Sequence, residues 1–373
     1  MNRIMDHRFL SRRQTLGLAL GSALGLGLNA QQAWAAASAA AASPAVAGWP
    51  GGRPIRVIVP GAPGNLAYNM MRSLFAARLG VGFGVVVDVQ APGLSGQDYE
   101  AGALPGVVVN DKDSSHAPGG MDGLVKAAPD GHTLAFADVS QLARAFYLGK
   151  APYDPAKSFV PVASLFATPV LLLATSALSP QDAGDLPALL ARAKQKPGSI
   201  RWASSGPVSL GHLILEQVKV AAGVNITHVP YTDNAALMAD ALAGKFELLA
   251  MPAGPVAIAQ IRAGRLRPLA VGAPARLKEP MPRVPTLAEL GLPSANLSAV
   301  FGFFAPTGTP PQIVQQLNQT INTQSHDAEV RHHIDAEDLV AIGGSAADFA
   351  RVITETASNI RAALQAAGIK TAV

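Results

Sequence analysis

The sequence contains no cysteine among its 373 residues. This absence excludes disulfide bonds, thiolate metal sites and a lipid-modified N-terminal cysteine. Charged residues are also scarce, at 14% of the chain against 49% hydrophobic residues. Such a composition excludes a disordered body and predicts a buried core, and the length predicts about two domains.

The net positive charge is concentrated at the N-terminus. The formal charge is +4, and the first 35 residues contain four arginines and one aspartate, so the rest of the chain carries +1. No basic run follows in that nearly neutral remainder. The sequence therefore gives no electrostatic basis for binding nucleic acid.

Residues 1–35 are predicted to be an export signal. Residues 11–16 resemble the twin-arginine pattern, a glycine-diluted apolar run covers residues 16–28, and residues 33–35 form a small-residue cleavage site. The apolar run is too short to be a good membrane span. A Sec signal is the alternative, and either route predicts a periplasmic location. Residues 36–48, which are rich in alanine and serine, are expected to be a flexible leader.

The first segment of the body predicts a strand, a tight loop and a helix. β-branched residues at 55–59 favour a covered strand, and glycines and prolines at 60–64 favour a close turn. Asn65 can cap a helix whose apolar residues recur at nearly helical spacing up to Leu79. Such a loop would direct free backbone N–H groups into a cleft, where they can bind an anion.

The second half repeats this arrangement. A strand at 200–203 leads into Ser204, Ser205 and Gly206, and a helix is predicted at 210–221. Ligands of open α/β sheets bind at the carboxyl ends of strands, so two such loops facing each other predict a cleft between two lobes. The expected fold class is therefore α/β, with the two-lobed, bivalve architecture of solute-binding proteins.

The lobe boundaries are predicted from the positions of prolines and of predicted strands along the chain. Lobe 1 is expected to comprise 49–150 and 275–373, and lobe 2 is expected to comprise 151–274. The two prolines within 151–155 indicate a first crossing, and a strand near 266–271 is expected to return to lobe 1. The segment 93–115, rich in Gly, Pro, Asp and Ser, is predicted to be a surface excursion.

A series of short motifs covers almost the whole body of the chain. They are Trp49-Pro50, Pro60 with Ala62, Pro63 and Gly64, residues 127–133, residues 152–155, residues 203–206, residues 228–231, residues 284–286 and residues 305–310. In this order, from about Trp49 to Ile369, the chain resembles the substrate-binding receptors of tripartite tricarboxylate transporters, the Bug proteins. The resemblance implies a type II periplasmic binding fold. It also implies a small carboxylate ligand held by backbone N–H groups and bridging waters.

The resemblance further implies integral-membrane transporter subunits as partners. A sensor protein is the alternative partner, and the receptor is expected to be a monomer. The predicted ligand-binding residues are Gly61, Ala62, Gly64, Asn65, Tyr68, Ser140, Arg144, Ser204, Ser205, Gly206 and Tyr231. Arg144 stands where the family has a neutral residue, so it is the candidate for a direct fork on a carboxylate.

The chain departs from the family pattern at several cleft positions. Asn65 to Tyr68 replace a segment that usually continues to an aspartate, Met251-Pro252 replaces a frequent Phe-Asp pair, and Ser140-Gln141 replaces a Thr-His pair. The ligand identity therefore stays open. An alternative is a drifted receptor that acts in sensing or binds a ligand other than a carboxylate.

An exported enzyme is the alternative from another class. Gly206, Ser209 and Gly211 fall one residue short of the G-x-S-x-G pattern, and no acid and base accompany them at a recognisable spacing. Among the eight histidines, His332 and His333 are expected on a polar helical surface, and His228 lies in a predicted strand. The sequence therefore predicts no catalytic residue, no metal ligand and no cofactor.

Overall fold

The computed structural model describes residues 48–60, 66–71, 75–84, 87–90, 107–109, 121–181, 183–278 and 281–373. The predicted export signal, most of the leader and the first predicted ligand loop at 61–65 lie outside these residues. Most of the segment 93–115 lies outside them as well. All of the described residues belong to one compact unit.

Twelve strands are present in the described residues. They are β1 (Ile55–Ile58), β2 (Val87–Gln90), β3 (Val107–Val109), β4 (Thr133–Asp138), β5 (Phe159–Thr168), β6 (Val170–Ala174), β7 (Arg201–Ser204), β8 (Thr227–Pro230), β9 (Leu248–Pro252), β10 (Arg267–Gly272), β11 (Ala299–Pro306) and β12 (Val340–Ala341). The strands predicted at 55–59, 200–203 and 266–271 correspond to β1, β7 and β10 to within one residue at each end.

The helices alternate with the strands, as expected for an α/β protein. They are α1 (Leu66–Met70), α2 (Ala76–Phe83), α3 (Asp122–Val125), α4 (Val139–Tyr147), α5 (Leu186–Gln195), α6 (Leu210–Ala222), α7 (Asn234–Leu242), α8 (Pro255–Arg262), α9 (Pro311–Ser325), α10 (Ala328–Ala336) and α11 (Ala346–Ala366), with a short 3₁₀ turn at Pro293–Ala295.

The strands form two separate sheets. The first has the order β12-β5-β11-β4-β1-β2-β3, and the second has the order β10-β6-β9-β7-β8. In the first sheet β1 is parallel to β2 and β4, while β11 runs antiparallel to β4 and β5. In the second sheet β7 is parallel to β8 and β9, while β6 runs antiparallel to β9 and β10. Two mixed sheets, one in each lobe, agree with the predicted fold class.

The chain passes between the sheets at points that differ from the predicted ones. Strand β5 pairs with β11 in the first sheet and β6 pairs with β9 in the second, so the first crossing lies at Pro169 and not at 151–155. Strand β10 pairs with β6, so the chain returns to the first sheet only with β11. Residues 159–168 therefore extend the first sheet. The sequence does not show this pairing, because the partner strand β11 lies far away along the chain. We therefore propose revised lobe boundaries at Pro169 and between β10 and β11.

The predicted excursion is also corrected in part. Residues Val107–Val109 pair in parallel with β2 and form the edge strand of the first sheet. They are β-branched residues, which favour a strand wherever a partner edge is available. The rest of the segment lies outside the described residues.

The last helix connects the two hydrophobic cores. Ser345 caps α11 through a capping box with Asp348. Phe349 and Ile353 belong to the core cluster that contains Phe304 of the first sheet, and Ile360 and Leu364 belong to the cluster that contains Trp202 of the second. One 21-residue helix therefore packs on both lobes.

Helix α9 begins without a side-chain cap. The sequence predicts Thr309 as its N-cap and Pro310 as its first residue, but the Thr309 hydroxyl donates to the carbonyl of Pro306, and Pro310 occupies the N-cap position without a side-chain hydrogen bond. In the described part of the chain no helix combines the length and apolar character needed to cross a membrane.

Candidate functional site

The carboxyl ends of β1 and β4 meet at one edge of the first sheet. Phe301, at the start of β11, pairs with Asp138 and lies at the same edge. These strand ends border a cavity of about 190 Å³, here called the strand-end cavity, which is lined by Pro60, Leu66, Ala67, Ala137, Asp138, Gln141, Leu142 and Phe301. The predicted ligand residues Gly61, Ala62, Gly64 and Asn65 follow β1 but lie outside the described residues, so their role stays a prediction.

Asp138 ends β4 and caps α4. Its carboxylate accepts hydrogen bonds from the backbone N–H of Ser140 at 2.8 Å and from the Ser140 hydroxyl at 2.8 and 3.0 Å. The hydroxyl of the predicted ligand residue Ser140 is therefore directed at Asp138, and Ser140 is fully buried. Burial raises the pKa of the Asp138 carboxyl, and the opposing effects of Arg144 and of the Ser140 hydrogen bonds do not cancel this rise.

Tyr68 lies away from the surface. Its side chain is 3% exposed and belongs to the core cluster of the first sheet that includes Val57 and Phe136. This burial favours a packing role for Tyr68 over the predicted contact with a ligand.

The loop at residues 204–209, here called the serine loop, connects β7 to α6. The Ser204 carbonyl accepts hydrogen bonds from the N–H groups of Gly206 at 2.8 Å and Tyr231 at 3.0 Å. Gly206 has a φ of 100°, and a Cβ added there would lie 3.2 Å from the Tyr231 carbonyl oxygen, so the close turn requires glycine. The Gly206 N–H, which the sequence predicts as a ligand donor, is thus already engaged inside the loop.

Ser205 is the open donor of the serine loop. It is exposed, and neither its N–H nor its hydroxyl hydrogen-bonds to another described residue. Ser204, in contrast, is fully buried beneath it. Of the three residues predicted here, Ser205 is the one whose backbone can donate to a ligand.

The serine loop faces α4 across a second cavity. This interlobe cleft has a volume of about 520 Å³ and is lined by Gln141, Arg144, Ala145, Leu148, Lys150, Ser205, Pro207, Val208 and Ser209. Two of these residues are cationic and, among the described residues that line the cleft, none is acidic. Gln141 also lines the strand-end cavity, so the two cavities adjoin.

Arg144 spans the interlobe cleft. Its Nη1 donates to the Val208 carbonyl at 3.0 Å, and its Nε lies 3.3 Å from the Ser140 carbonyl. Its Nη2 hydrogen-bonds to no other described residue, so one edge of the guanidinium is available to an anion.

Tyr231 is directed elsewhere. Its hydroxyl donates to Asp240 at 2.8 Å, and its ring packs against Phe246 with centroids 5.8 Å apart. Burial and the hydrogen bond to Asp240 raise the pKa of the Tyr231 hydroxyl. Only the backbone of this predicted ligand residue supports the serine loop.

The pair Ser204 and His228 resembles a nucleophile with its base, because Ser204 Oγ lies 2.8 Å from His228 Nε2. The hydroxyl has no exposed surface, however, and no carboxylate among the described residues hydrogen-bonds to the other nitrogen of His228. Ser204 cannot reach a substrate in this arrangement. In the described part of the chain no group of three or more His, Asp or Glu residues could hold a metal ion.

Several lining residues were absent from the predicted set. Gln141, Ala145 and Leu148 share one face of α4 and its end with Arg144, at helical spacings of three and four residues. Extending the prediction from Arg144 along this face would have found them. Val208 carries no such signal, because its position depends on the shape of the serine loop.

Comparison with known proteins identifies relatives along most of the chain. Residues 101–369 match the model of the family described as "Tripartite tricarboxylate transporter family receptor". Protein BugT of Bordetella pertussis is 33% identical over 290 residues, which cover 77% of this chain and 80% of BugT. A protein of Pseudomonas sp. strain P51 is 32% identical over 219 residues, 58% of this chain and 63% of that protein.

Solved structures share the fold of this chain. A TctC solute-binding protein from Polaromonas superposes with a TM-score of 0.69 at 22% identity, covering 84% of this chain and 98% of that one, and shows the fold. A structure described as R. palustris Rpa4515 with adipate has a TM-score of 0.57 at 28% identity, covering 86% of this chain and 99% of that one. The chain belongs to the tripartite tricarboxylate transporter receptor family, which includes the Bug proteins.

Proposed function

We propose that this protein is a periplasmic receptor that captures a small dicarboxylate in the interlobe cleft and delivers it to the membrane subunits of a tripartite tricarboxylate-type transporter. One observation carries the proposal. The interlobe cleft presents Arg144, Lys150 and the open N–H of Ser205, and none of the described residues that line it is acidic. A cleft of this charge favours an anion, and its volume suits a small molecule.

The carboxylate is held by one fork and one backbone donor. The open edge of Arg144 supplies charge-assisted hydrogen bonds, and the Ser205 N–H approaches the same carboxylate from the other lobe. Each such bond contributes about 1.5–3 kcal/mol when it is well formed. Donors from both lobes favour the closed arrangement, because a ligand that contacts both stabilises it.

The interlobe cleft also offers a partner for a second carboxylate, which favours a dicarboxylate over a monocarboxylate. Lys150 provides a second cation at the rim of the interlobe cleft, whereas Asp138 lines the strand-end cavity and would repel an anion placed there. Both ends of the ligand therefore stay on the Arg144 side of Gln141. The relative solved with adipate, a six-carbon dicarboxylate, supports this substrate class.

Thermal-shift measurements with dicarboxylates of four to eight carbons test the proposal. At a concentration about 100 times the dissociation constant, a ligand adds roughly 2.7 kcal/mol, which for a chain of this size raises the melting temperature by a few degrees. Arg144→Gln should abolish most of the shift. Arg265→Gln is the control, because Arg265 is an exposed arginine of the second lobe outside the cleft.

Two results would decide against the proposal. If no dicarboxylate shifts the wild-type melting temperature at millimolar concentration, the receptor has drifted to another ligand or to sensing. If a dicarboxylate binds but both arginine variants behave like the wild type, the interlobe cleft is not the site.

A further inference from the structure

Val208 adopts a backbone conformation that its side chain disfavours. Its φ is 63°, in the left-handed region, which β-branched residues rarely occupy. Such a conformation persists only where surrounding contacts hold it, and it is concentrated at ligand clamps and switches. Here two hydrogen bonds hold the residue. Its N–H donates to His212 Nδ1 at 3.1 Å, and its carbonyl accepts from Arg144 Nη1 at 3.0 Å.

The hydrogen bond from the Val208 N–H requires one protonation state of His212. An imidazole nitrogen that accepts a hydrogen bond carries no proton, so Nδ1 of His212 must be bare. A protonated His212 would turn an N–H toward the Val208 N–H, and the bond would break. The conformation of Val208 thus depends on a neutral His212.

His228 supports the other end of the serine loop in the same way. Ser209 Oγ lies 3.1 Å from Ser204 Oγ, which in turn lies 2.8 Å from His228 Nε2. With Ser209 donating to Ser204, the Ser204 hydroxyl has two acceptors within reach, the Gly206 carbonyl at 3.5 Å and His228 Nε2 at 2.8 Å, and the shorter distance favours donation to His228 Nε2. The two imidazoles stack with centroids 4.0 Å apart and planes within 5°, so a positive charge on one disfavours a charge on the other.

The charged groups around the pair do not reverse this preference. Glu216 lies 3.6 Å from His212 Nε2, but its carboxylate is paired with Lys219 at 2.9 Å, and Arg144 adds a cation across Val208. Burial lowers the pKa of His212, with Glu216 opposing and Lys219 adding to the effect. Burial, His212 and Lys219 lower the pKa of His228 to about 4.

We propose that His212 and His228 are positioning residues for the serine loop, and that they hold Val208 and Ser205 in the binding arrangement only while both imidazoles are neutral. The consequence for binding rests on the proposed function. The neutral pair supports the loop above the ordinary imidazole pKa of about 6.5, and this support is lost as the pH falls toward 4. The receptor therefore holds its carboxylate at neutral pH and releases it in acid.

The first test needs no ligand. Amide hydrogen exchange of Val208 is followed by NMR from pH 7.5 to pH 4.0 in the unliganded protein and expressed as protection relative to the unstructured chain. In the double variant His212→Asn/His228→Gln, the amide oxygens take the places of Nδ1 and Nε2 but do not titrate. Wild-type protection should fall by about threefold or more in acid, whereas protection in the double variant should stay constant. His212→Leu should lose the protection at every pH, and His333→Asn, an exposed histidine on α10, should behave as the wild type.

The second test measures the dissociation constant of adipate over the same pH range. The ratio of the wild-type value to the double-variant value should be near one at pH 7.5 and rise about threefold or more by pH 4.0. Taking the ratio cancels the protonation of adipate itself and of Asp138. Parallel behaviour of the two proteins in both tests would overturn the inference. If adipate binds neither protein at pH 7.5, the proposed function fails, and Val208 exchange alone still decides the role of the histidines.

Discussion

Replacement of Ser205 by proline separates the backbone donor from the side chain. The hydrogen bond from Gly206 N–H to the Ser204 carbonyl, at 2.8 Å, closes a three-residue turn with Ser205 at its centre. Ser205 is absent from the non-glycine residues with positive φ, so the turn is of the inverse γ type, whose central φ is about −75°. Proline, with φ near −65°, fits this position, and Ser204 is already extended in β7, as a residue before proline prefers.

The expected effects on stability and binding therefore differ in direction. Ser205 N–H has no partner among the described residues, so Ser205→Pro breaks no internal hydrogen bond and should leave the melting temperature unchanged or slightly higher. Loss of one charge-assisted bond of about 1.5–3 kcal/mol should weaken dicarboxylate binding by about 10- to 150-fold. Ser205→Ala keeps the N–H and should bind within about twofold of the wild type.

Isothermal titration calorimetry with adipate, together with thermal melting of the unliganded proteins, measures both quantities. The matched alanine variant controls for loss of the hydroxyl. Wild-type affinity in Ser205→Pro would refute the assignment of this N–H as a donor. An equal loss in Ser205→Ala would move the contact to the hydroxyl.

Two further predictions concern stability. Burial acts to raise the pKa of Glu247, but hydrogen bonds from Arg201 outweigh this effect and lower the pKa. The ion pair therefore stabilises the fold at a pH above the ordinary glutamate pKa of 4.5, and this stabilisation is lost as the pH falls. Glu247→Gln should cost about 1 kcal/mol at pH 7, since Arg201 is nearly half exposed, and thermal melts of the variant and wild type should converge in acid; a difference that persists below pH 3 would contradict this. Asp138→Ala removes a helix cap and should cost about 1 kcal/mol, whereas Asp138→Asn keeps the cap and removes a partly buried charge, so it should melt at or above the wild type at pH 7. The wild type should then approach the asparagine variant as the pH falls through the raised pKa of Asp138, and an asparagine variant as unstable as the alanine variant would show that the charge itself is required.

The identity of most elements could be predicted from the sequence. The β-branched runs, the capping serine of α11 and the spacing of apolar residues depend on neighbours within about four positions, so they are readable along the chain. The order of family motifs likewise indicated the fold class and the receptor family, which the comparisons confirm.

The tertiary structure decided where the strands pair and which polar groups remain open. Strand β5 joins the first sheet through β11, and β10 joins the second through β6, and such long-range pairings leave no local signal. The candidate site follows the same rule. The Ser140 hydroxyl is bound by Asp138, the Gly206 N–H by Ser204 and the Tyr231 hydroxyl by Asp240, so three predicted ligand groups are already satisfied. Sequence determined which residues lie near the cleft, but only packing decided which of their donors are free, because buried polar groups take the partners that folding brings to them.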